Sequence, residues 1–269
     1  LSELVFVKLG GSIITDKLQE ATARPEVISR LAGEIEVARQ ADPGLRLLLG
    51  HGSGSFGHTA GLKYHLRQGL DESASWWGYA ETGAAAARLN RIVVDAFLTM
   101  GVPVVSIQPS ASARCRGGKL VELDLYAIGE VLRRGLVPLI FGDVAFDQEQ
   151  GCTIISTENI LSYLAAKLHP ARIVLVGEVD GVYDRDPLGS AAARRIPRIT
   201  AATFPEVLAR LGGSHGIDVT GGMLTKVREM MDLVAQGQTD RVHLISGQRP
   251  GALTQVLLDP DAAGGTVLE

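Results

Sequence analysis

Short apolar runs alternate with longer stretches of helical periodicity along most of the chain, and this alternation constrains the fold more than any other feature. The runs Leu4–Leu9, Leu45–Leu49, Val102–Ile107, Val137–Phe141, Ile173–Val176 and Val242–Ile245 predict strands. Between and after them, Pro25–Gln40, Ala74–Met100, Leu123–Arg134, Glu158–Leu168, Thr203–Leu211 and Met223–Gln236 predict helices. Strands that are apolar throughout, not alternating, belong to a mainly parallel sheet with helices on both faces. The expected fold class is therefore α/β with an open, mostly parallel sheet. Most strands run into glycine or small polar residues: Gly10-Gly11, Gly50, Gln108-Pro109-Ser110, Gly142-Asp143, Gly177 and Ser246-Gly247. Ligands of open α/β sheets sit beyond the carboxyl ends of strands, so these turns are expected to line one site. Residues 185–198 read as a loop or β-excursion, and a lobe boundary is expected near His169-Pro170.

A chain of 269 residues can form one large domain or two lobes. Its net charge of −4 argues against broad nucleic-acid binding, which needs a basic footprint. Cys115 and Cys152 stand far apart, so neither a disulfide framework nor a thiolate metal site is expected, and a cytoplasmic location fits. The opening LSELVFVKLGG lacks a basic segment ahead of a long apolar one, so no signal peptide is expected. No run approaches the roughly 20 apolar residues of a membrane helix.

Chemistry concentrates in four segments. The first is HGSGSFGH, His51 to His58, where Gly52, Gly54 and Gly57 let backbone N–H groups approach phosphate oxygens and two histidines can gain charge near neutral pH. The same glycines fit G-x-G-x-x-G, with Asp71 or Glu72 about twenty residues on, as in a dinucleotide fold. That reading fails on context, because the interval HTAGLKYHLRQGLDES contains no second strand. The second segment places Lys8 at the end of the first strand, before Gly10, Gly11 and Ser12, with Lys17 on the same connection. A lysine beside a glycine turn reaches phosphate oxygens while the backbone donates to others. The third, GEVDGVYDRDP, is an acidic turn after a strand. The fourth, DVTGGMLTK, sets two glycines at a helix start with Lys226 one turn in, joining a dipole end to a cation. None of these is a P-loop.

Taken together, KLGGSIITDK, HGSGSFGH, FGD, VDGVYDRDP and DVTGGMLTK resemble the amino acid kinase superfamily over nearly the whole chain, and HGxGSFGH resembles its isopentenyl phosphate kinase branch. The resemblance implies a three-layer αβα sandwich, with acceptor bound in an N-terminal lobe (1–170) and nucleotide in a C-terminal lobe (171–269). It implies ATP-dependent phosphorylation of isopentenyl phosphate in isoprenoid biosynthesis. Related alternatives are dimethylallyl phosphate, fosfomycin, or a non-catalytic nucleotide sensor. By motif position, Lys8, Gly10, Gly11, Ser12, Ser53, Gly222 and Lys226 would meet ATP phosphates, and Asp180, Gly181 and Tyr183 would border the nucleotide. Gly52, Gly57, His58 and Gly142 would hold the acceptor phosphate, and Lys8, Lys17, His58 and Lys226 would be catalytic. A homodimer, with no nucleic-acid or membrane partner, is also implied.

Two positions depart from the family pattern. Ser53 replaces the middle glycine of HGGGSFGH, and Thr157-Glu158-Asn159 after Ser156 replaces SGDD, with Glu158 keeping a carboxylate. The charges support a phosphate acceptor: ATP carries about four negative charges and an alkyl phosphate between one and two. Mg²⁺, Lys8, Lys17, Lys226 and a protonated His58 would nearly balance them. Mg²⁺ is expected to be held by phosphates and water, and no protein metal ligand is assigned. For the isoprenoid tail, Trp76, Trp77 and Tyr79 supply either an apolar slot or core packing.

Overall fold

The computed structural model describes residues 3–66, 69, 76–185, 187, 189–190, 192–212, 219–261 and 264–269, with the backbone alone described at 58–62, 211–212 and 219–222. The chain runs β1 (Leu4–Leu9), α1 (Gly11–Ile14), α2 (Pro25–Ala41), β2 (Arg46–His51), α3 (Gly54–Lys63), α4 (Trp76–Thr99) and β3 (Val104–Ser106). It continues through β4 (Arg114–Arg116), β5 (Lys119–Glu122), α5 (Tyr126–Arg133), β6 (Val137–Phe141), β7 (Asp143–Asp147), β8 (Gly151–Ile155) and α6 (Thr157–Leu168). The remainder is β9 (Arg172–Gly177), β10 (Val182–Tyr183), β11 (Arg195–Ile196), β12 (Arg198–Ile199), α7 (Phe204–Gly212), α8 (Val219–Ala235), β13 (Arg241–Ser246), α9 (Ala252–Leu258) and β14 (Thr266–Leu268).

An eight-stranded sheet, ordered β12-β14-β13-β9-β1-β2-β6-β3, forms the middle layer. Its pairs are parallel except β13 with β14. Side chains alternate between two cores. Val5, Val7, Leu9, Leu47, Leu49, Val174 and Val176 share one core with Ile28 and Leu31 of α2, Val93 and Phe97 of α4, and Val256 of α9. Phe6, Leu48, Ile140, Ile173 and Leu175 share the other with Ile128 of α5, Leu164 of α6 and Met230 of α8. Both faces are covered, which is why the central strands read as apolar throughout and why the fold is an αβα sandwich.

The predicted strands and helices all exist, with shifted ends. Leu123 and Asp124 precede α5, whose first N–H, that of Tyr126, is capped by the Asp124 carboxylate at 2.9 Å. α8 begins at Val219, four residues before the predicted Met223, so Gly221 and Gly222 lie within its first turn. Within 185–198 the chain contributes β11, which pairs antiparallel with β10 just ahead of that range, and Asp186, Leu188 and Ala191 fall outside the described residues. Several elements have no counterpart in the sequence reading: α1, α3, α9, β14 and a second sheet, ordered β5-β4-β7-β8. Gly142 alone separates β6 of the large sheet from β7 of the small one. At His169-Pro170, α6 ends with His169 in the left-handed conformation (φ 46°) and the chain turns into β9.

Candidate active site

Two glycine-rich turns meet at the carboxyl ends of β1 and β2, beside the point where the sheet order switches from β2 on one side of β1 to β9 on the other. Their glycines are dictated by this contact. A Cβ on Gly11 would lie 2.5 Å from the Gly54 nitrogen, one on Gly52 would lie 2.8 Å from the Gly11 nitrogen, and one on Gly10 would lie 2.9 Å from the Val176 carbonyl oxygen. Gly54 also has φ of +49°, and the Thr15 hydroxyl joins the turns by donating to Gly11 O (2.7 Å) and accepting from Ser55 N (3.0 Å). The loop HGSGSFGH is thus less of a turn than its glycines suggest, because α3 starts inside it at Gly54. Gly142 N donates to His51 O at 3.3 Å, and Gly57 N donates to Ser53 O at 3.2 Å within the start of α3. A Cβ on Gly57 would strike the Ser53 side chain at 2.5 Å, so the serine that departs from the family pattern itself demands glycine one helical turn on.

Lys8 is buried, and its Nζ lies 2.6 Å from Oε1 of Glu158 in the first turn of α6. The segment Ser156–Asn159 accounts for itself residue by residue. Ser156 Oγ accepts from Asn159 N (3.1 Å) and Asn159 Oδ1 accepts from Ser156 N (3.2 Å), a capping box. Thr157 donates its hydroxyl to His51 O at 2.6 Å, and Glu158 faces Lys8. Burial alone would raise the Glu158 carboxyl, but the charges of Lys8 and Lys226 outweigh it and hold it at about 2. Burial and the neighbouring Lys8 and Lys17 lower the Lys226 ammonium, against the pull of Glu158. Lys8 and Lys226 thus both act on Glu158, and Lys17 acts on Lys226.

Lys17 is exposed and pairs at 2.7 Å with Glu178, just beyond β9, a partner that the sequence reading missed. Asp180 sits in the turn before β10, accepting from the Tyr183 hydroxyl at 2.5 Å and pairing with Arg195 at 2.6 Å. These bonds overcome the effect of burial and hold its carboxyl below the ordinary range. Gly181 has φ of +149° and abuts Thr266. Ser12 stands in α1 and Gly222 in α8. His58 lies in α3, and its side chain is outside the described residues. His51 corrects one expectation: it is buried, and burial followed by the Lys8 charge lowers its pKa, so it is not a group that gains charge near neutral pH. Of the two alternatives for Trp76 and Trp77, their exposure of 54% and 72% removes core packing. Tyr79 stacks on Phe146, centroids 5.0 Å apart.

A sequence profile of the amino acid kinase family matches residues 3–246. The chain belongs to the amino acid kinase family. Among its relatives, the isopentenyl phosphate kinase of Methanothermobacter thermautotrophicus is 33% identical, covering 97% of each chain. That of Methanocaldococcus jannaschii is 34% identical over 95% of each. An X-ray structure of an isopentenyl phosphate kinase superposes with a TM-score of 0.83 at 32% identity, covering 99% of this chain and 100% of that one. In this fold Lys8 and the glycine loop lie at the carboxyl ends of the central strands β1 and β2. Among the described residues no helix is long and apolar enough to cross a membrane.

Proposed function

We propose that this amino acid kinase transfers the γ-phosphoryl group of ATP to isopentenyl phosphate, giving isopentenyl diphosphate and ADP. The observation that carries the reading is the buried pair of Lys8 with Glu158, whose carboxyl also feels the Lys226 charge, next to the HGSGSFGH loop, whose His51 carbonyl accepts from Thr157. Full-length relatives bearing that activity support it. In the reaction a terminal oxygen of the acceptor phosphate attacks the γ-phosphorus, the bond to the β–γ bridging oxygen breaks, and ADP departs with that electron pair. The attacking oxygen is already ionised, so positioning and charge neutralisation suffice without a strong general base.

Lys8 and Lys226, with the backbone of Gly10, Gly11, Ser12, Ser53 and Gly222, are assigned to the ATP phosphates. Asp180, Gly181 and Tyr183 shape the nucleotide rim. Gly52, Gly57, His58 and Gly142 hold the acceptor phosphate, and Lys17 stabilises charge on the phosphoryl group in flight. The acceptor side corresponds to residues 1–170 and the nucleotide side to 171–269. Mg²⁺ fits as an ion delivered with ATP: the nearby carboxylates Glu158, Glu178 and Asp180 are already paired with Lys8, Lys17 and Arg195. Among the described residues no cluster of His, Cys, Asp or Glu could hold a metal. When bound, the ion neutralises phosphate charge. Two buried free cysteines suit a reducing cytoplasm, and a homodimer is the assembly we assign.

Steady-state turnover with MgATP and isopentenyl phosphate, competed by dimethylallyl phosphate and fosfomycin, tests the reading. The expected result is the highest kcat/KM for isopentenyl phosphate. A preference for fosfomycin would reassign the acceptor, and no ADP from any small phosphate would mark a nucleotide sensor.

A further inference from the structure

β2 ends in His51, whose buried ring stacks on Phe141 with centroids 5.7 Å apart and planes 9° from parallel. Nδ1 lies 3.1 Å from the carbonyl oxygen of Gly52. Nε2 lies 3.2 Å from the side-chain amide of Asn90 on α4, and the other end of that amide lies 2.6 Å from Ser106 Oγ at the end of β3. A carbonyl only accepts, so Nδ1 carries a proton. With the amide oxygen of Asn90 toward Nε2, that nitrogen would need a proton as well, placing an imidazolium in a buried site beside the Lys8 cation. The opposite amide orientation satisfies every group with a neutral ring. The Ser106 hydroxyl donates to the Asn90 oxygen, the Asn90 N–H donates to Nε2, and Nδ1–H donates to Gly52 O.

We infer that Ser106, Asn90 and neutral His51 form a one-directional hydrogen-bond relay that sets the Gly52–Ser53 peptide and aims the Ser53 N–H into the cleft, toward the phosphoryl group being transferred. In a trans peptide the carbonyl and the following N–H point opposite ways, and the described chain has no cis bond. Holding the Gly52 carbonyl inward therefore turns the Ser53 N–H outward. Among the described residues this N–H meets no acceptor, whereas Gly52 N is bonded to Leu9 O at 3.0 Å. The His51 backbone is fixed from the other side, since its carbonyl accepts from both Thr157 and Gly142. His51, Asn90 and Ser106 are positioning residues in this scheme. The inference rests on reading the glycine loop as a phosphate site.

The test combines two readouts on the full chain. In ¹⁵N-histidine spectra at pH 7, wild-type His51 shows a neutral ring protonated on Nδ1. A ring protonated on Nε2, or on both nitrogens, overturns the relay. Asn90→Leu lowers kcat about tenfold with both KM values within about twofold, because a donor aimed at the transferring group acts in the transition state. Ser106→Ala, which removes only the outermost donor and spares the core, lowers kcat about threefold with the same pattern and decides the matter if Asn90→Leu does not fold. Unchanged kcat in the folded variants, with only the melting temperature lowered, overturns the inference. Absence of wild-type turnover with isopentenyl phosphate counts against the acceptor assignment, and the tautomer in the same sample still decides the relay.

Discussion

Two lysines of the site meet carboxylates at almost the same distance, 2.6 Å for Lys8 with Glu158 and 2.7 Å for Lys17 with Glu178, yet their surroundings differ sharply. The side chains of the first pair are 9% and 18% exposed, and those of the second 62% and 32%. Equal geometry thus conceals unequal energetics. An exposed pair competes with water and salt and contributes about 0–1 kcal/mol. A buried pair pays a desolvation cost for both charges, and removing one partner strands the other. Glu158 holds Lys8 in place and also feels the Lys226 charge. Lys17, held at the surface, remains free to exchange Glu178 for a ligand.

The largest effect is therefore expected at Glu158. Glu158→Gln leaves Lys8 without its anion, and kcat is expected to fall about 100-fold or more, with about 3 kcal/mol lost in urea unfolding. The pH dependence has a definite sign. A carboxyl held at about 2 when folded, against 4.5 when free, contributes stability above pH ~4.5 that is lost as the pH falls toward 2. The variant should lack that part of the acid dependence, and equal acid slopes for the two proteins would remove Glu158 from the centre of the cluster. Lys226→Ala comes next. It removes the second cation facing Glu158 and is expected to raise the KM for ATP about tenfold, leaving the acceptor KM within about twofold. A larger shift in the acceptor KM would place Lys226 on the wrong substrate.

What the sequence disclosed of this contrast was one side of each pair. Lys8 and Lys17 stand in a recognisable motif, but their partners lie 150 and 161 residues away, and only the sheet order brings β1, β9 and the start of α6 together. Glu158 could be suspected because it replaces a family carboxylate, whereas nothing local distinguishes Glu178 from a surface residue. The main sheet was legible because its central strands are buried on both faces and so read as apolar runs. The small sheet was not, because its strands are short and carry exposed residues such as Phe146 and Arg116. α3 was hidden by glycines that weaken helix propensity, yet are required where Gly11, Gly52 and Gly54 touch.

The glycine loop supplies a middle-sized test, independent of either ion pair. Gly57→Ala puts a methyl group against Ser53, and a cost of about 1–3 kcal/mol is expected in thermal or urea unfolding. Adding Ser53→Gly removes the obstructing atoms and should restore most of that stability. A double variant as unstable as the single one would show that the strain lies elsewhere in α3.

The smallest effect is expected at Glu178, and its character matters more than its size. Glu178→Gln removes a surface anion, so unfolding should change by less than about 1 kcal/mol. If Glu178 only stations Lys17 for the incoming phosphates, kcat should fall about threefold at low ionic strength. Exposed charges are screened over about 3 Å in 1 M salt, so raising the salt should bring wild type and this variant together. The Glu158→Gln defect should persist under the same conditions, because salt does not reach a pair enclosed between β1 and α6. Should both defects fade alike, burial would not distinguish the two pairs. Should neither fade, Lys17 would be held in the cleft as firmly as Lys8, and its exposure would say nothing of its role.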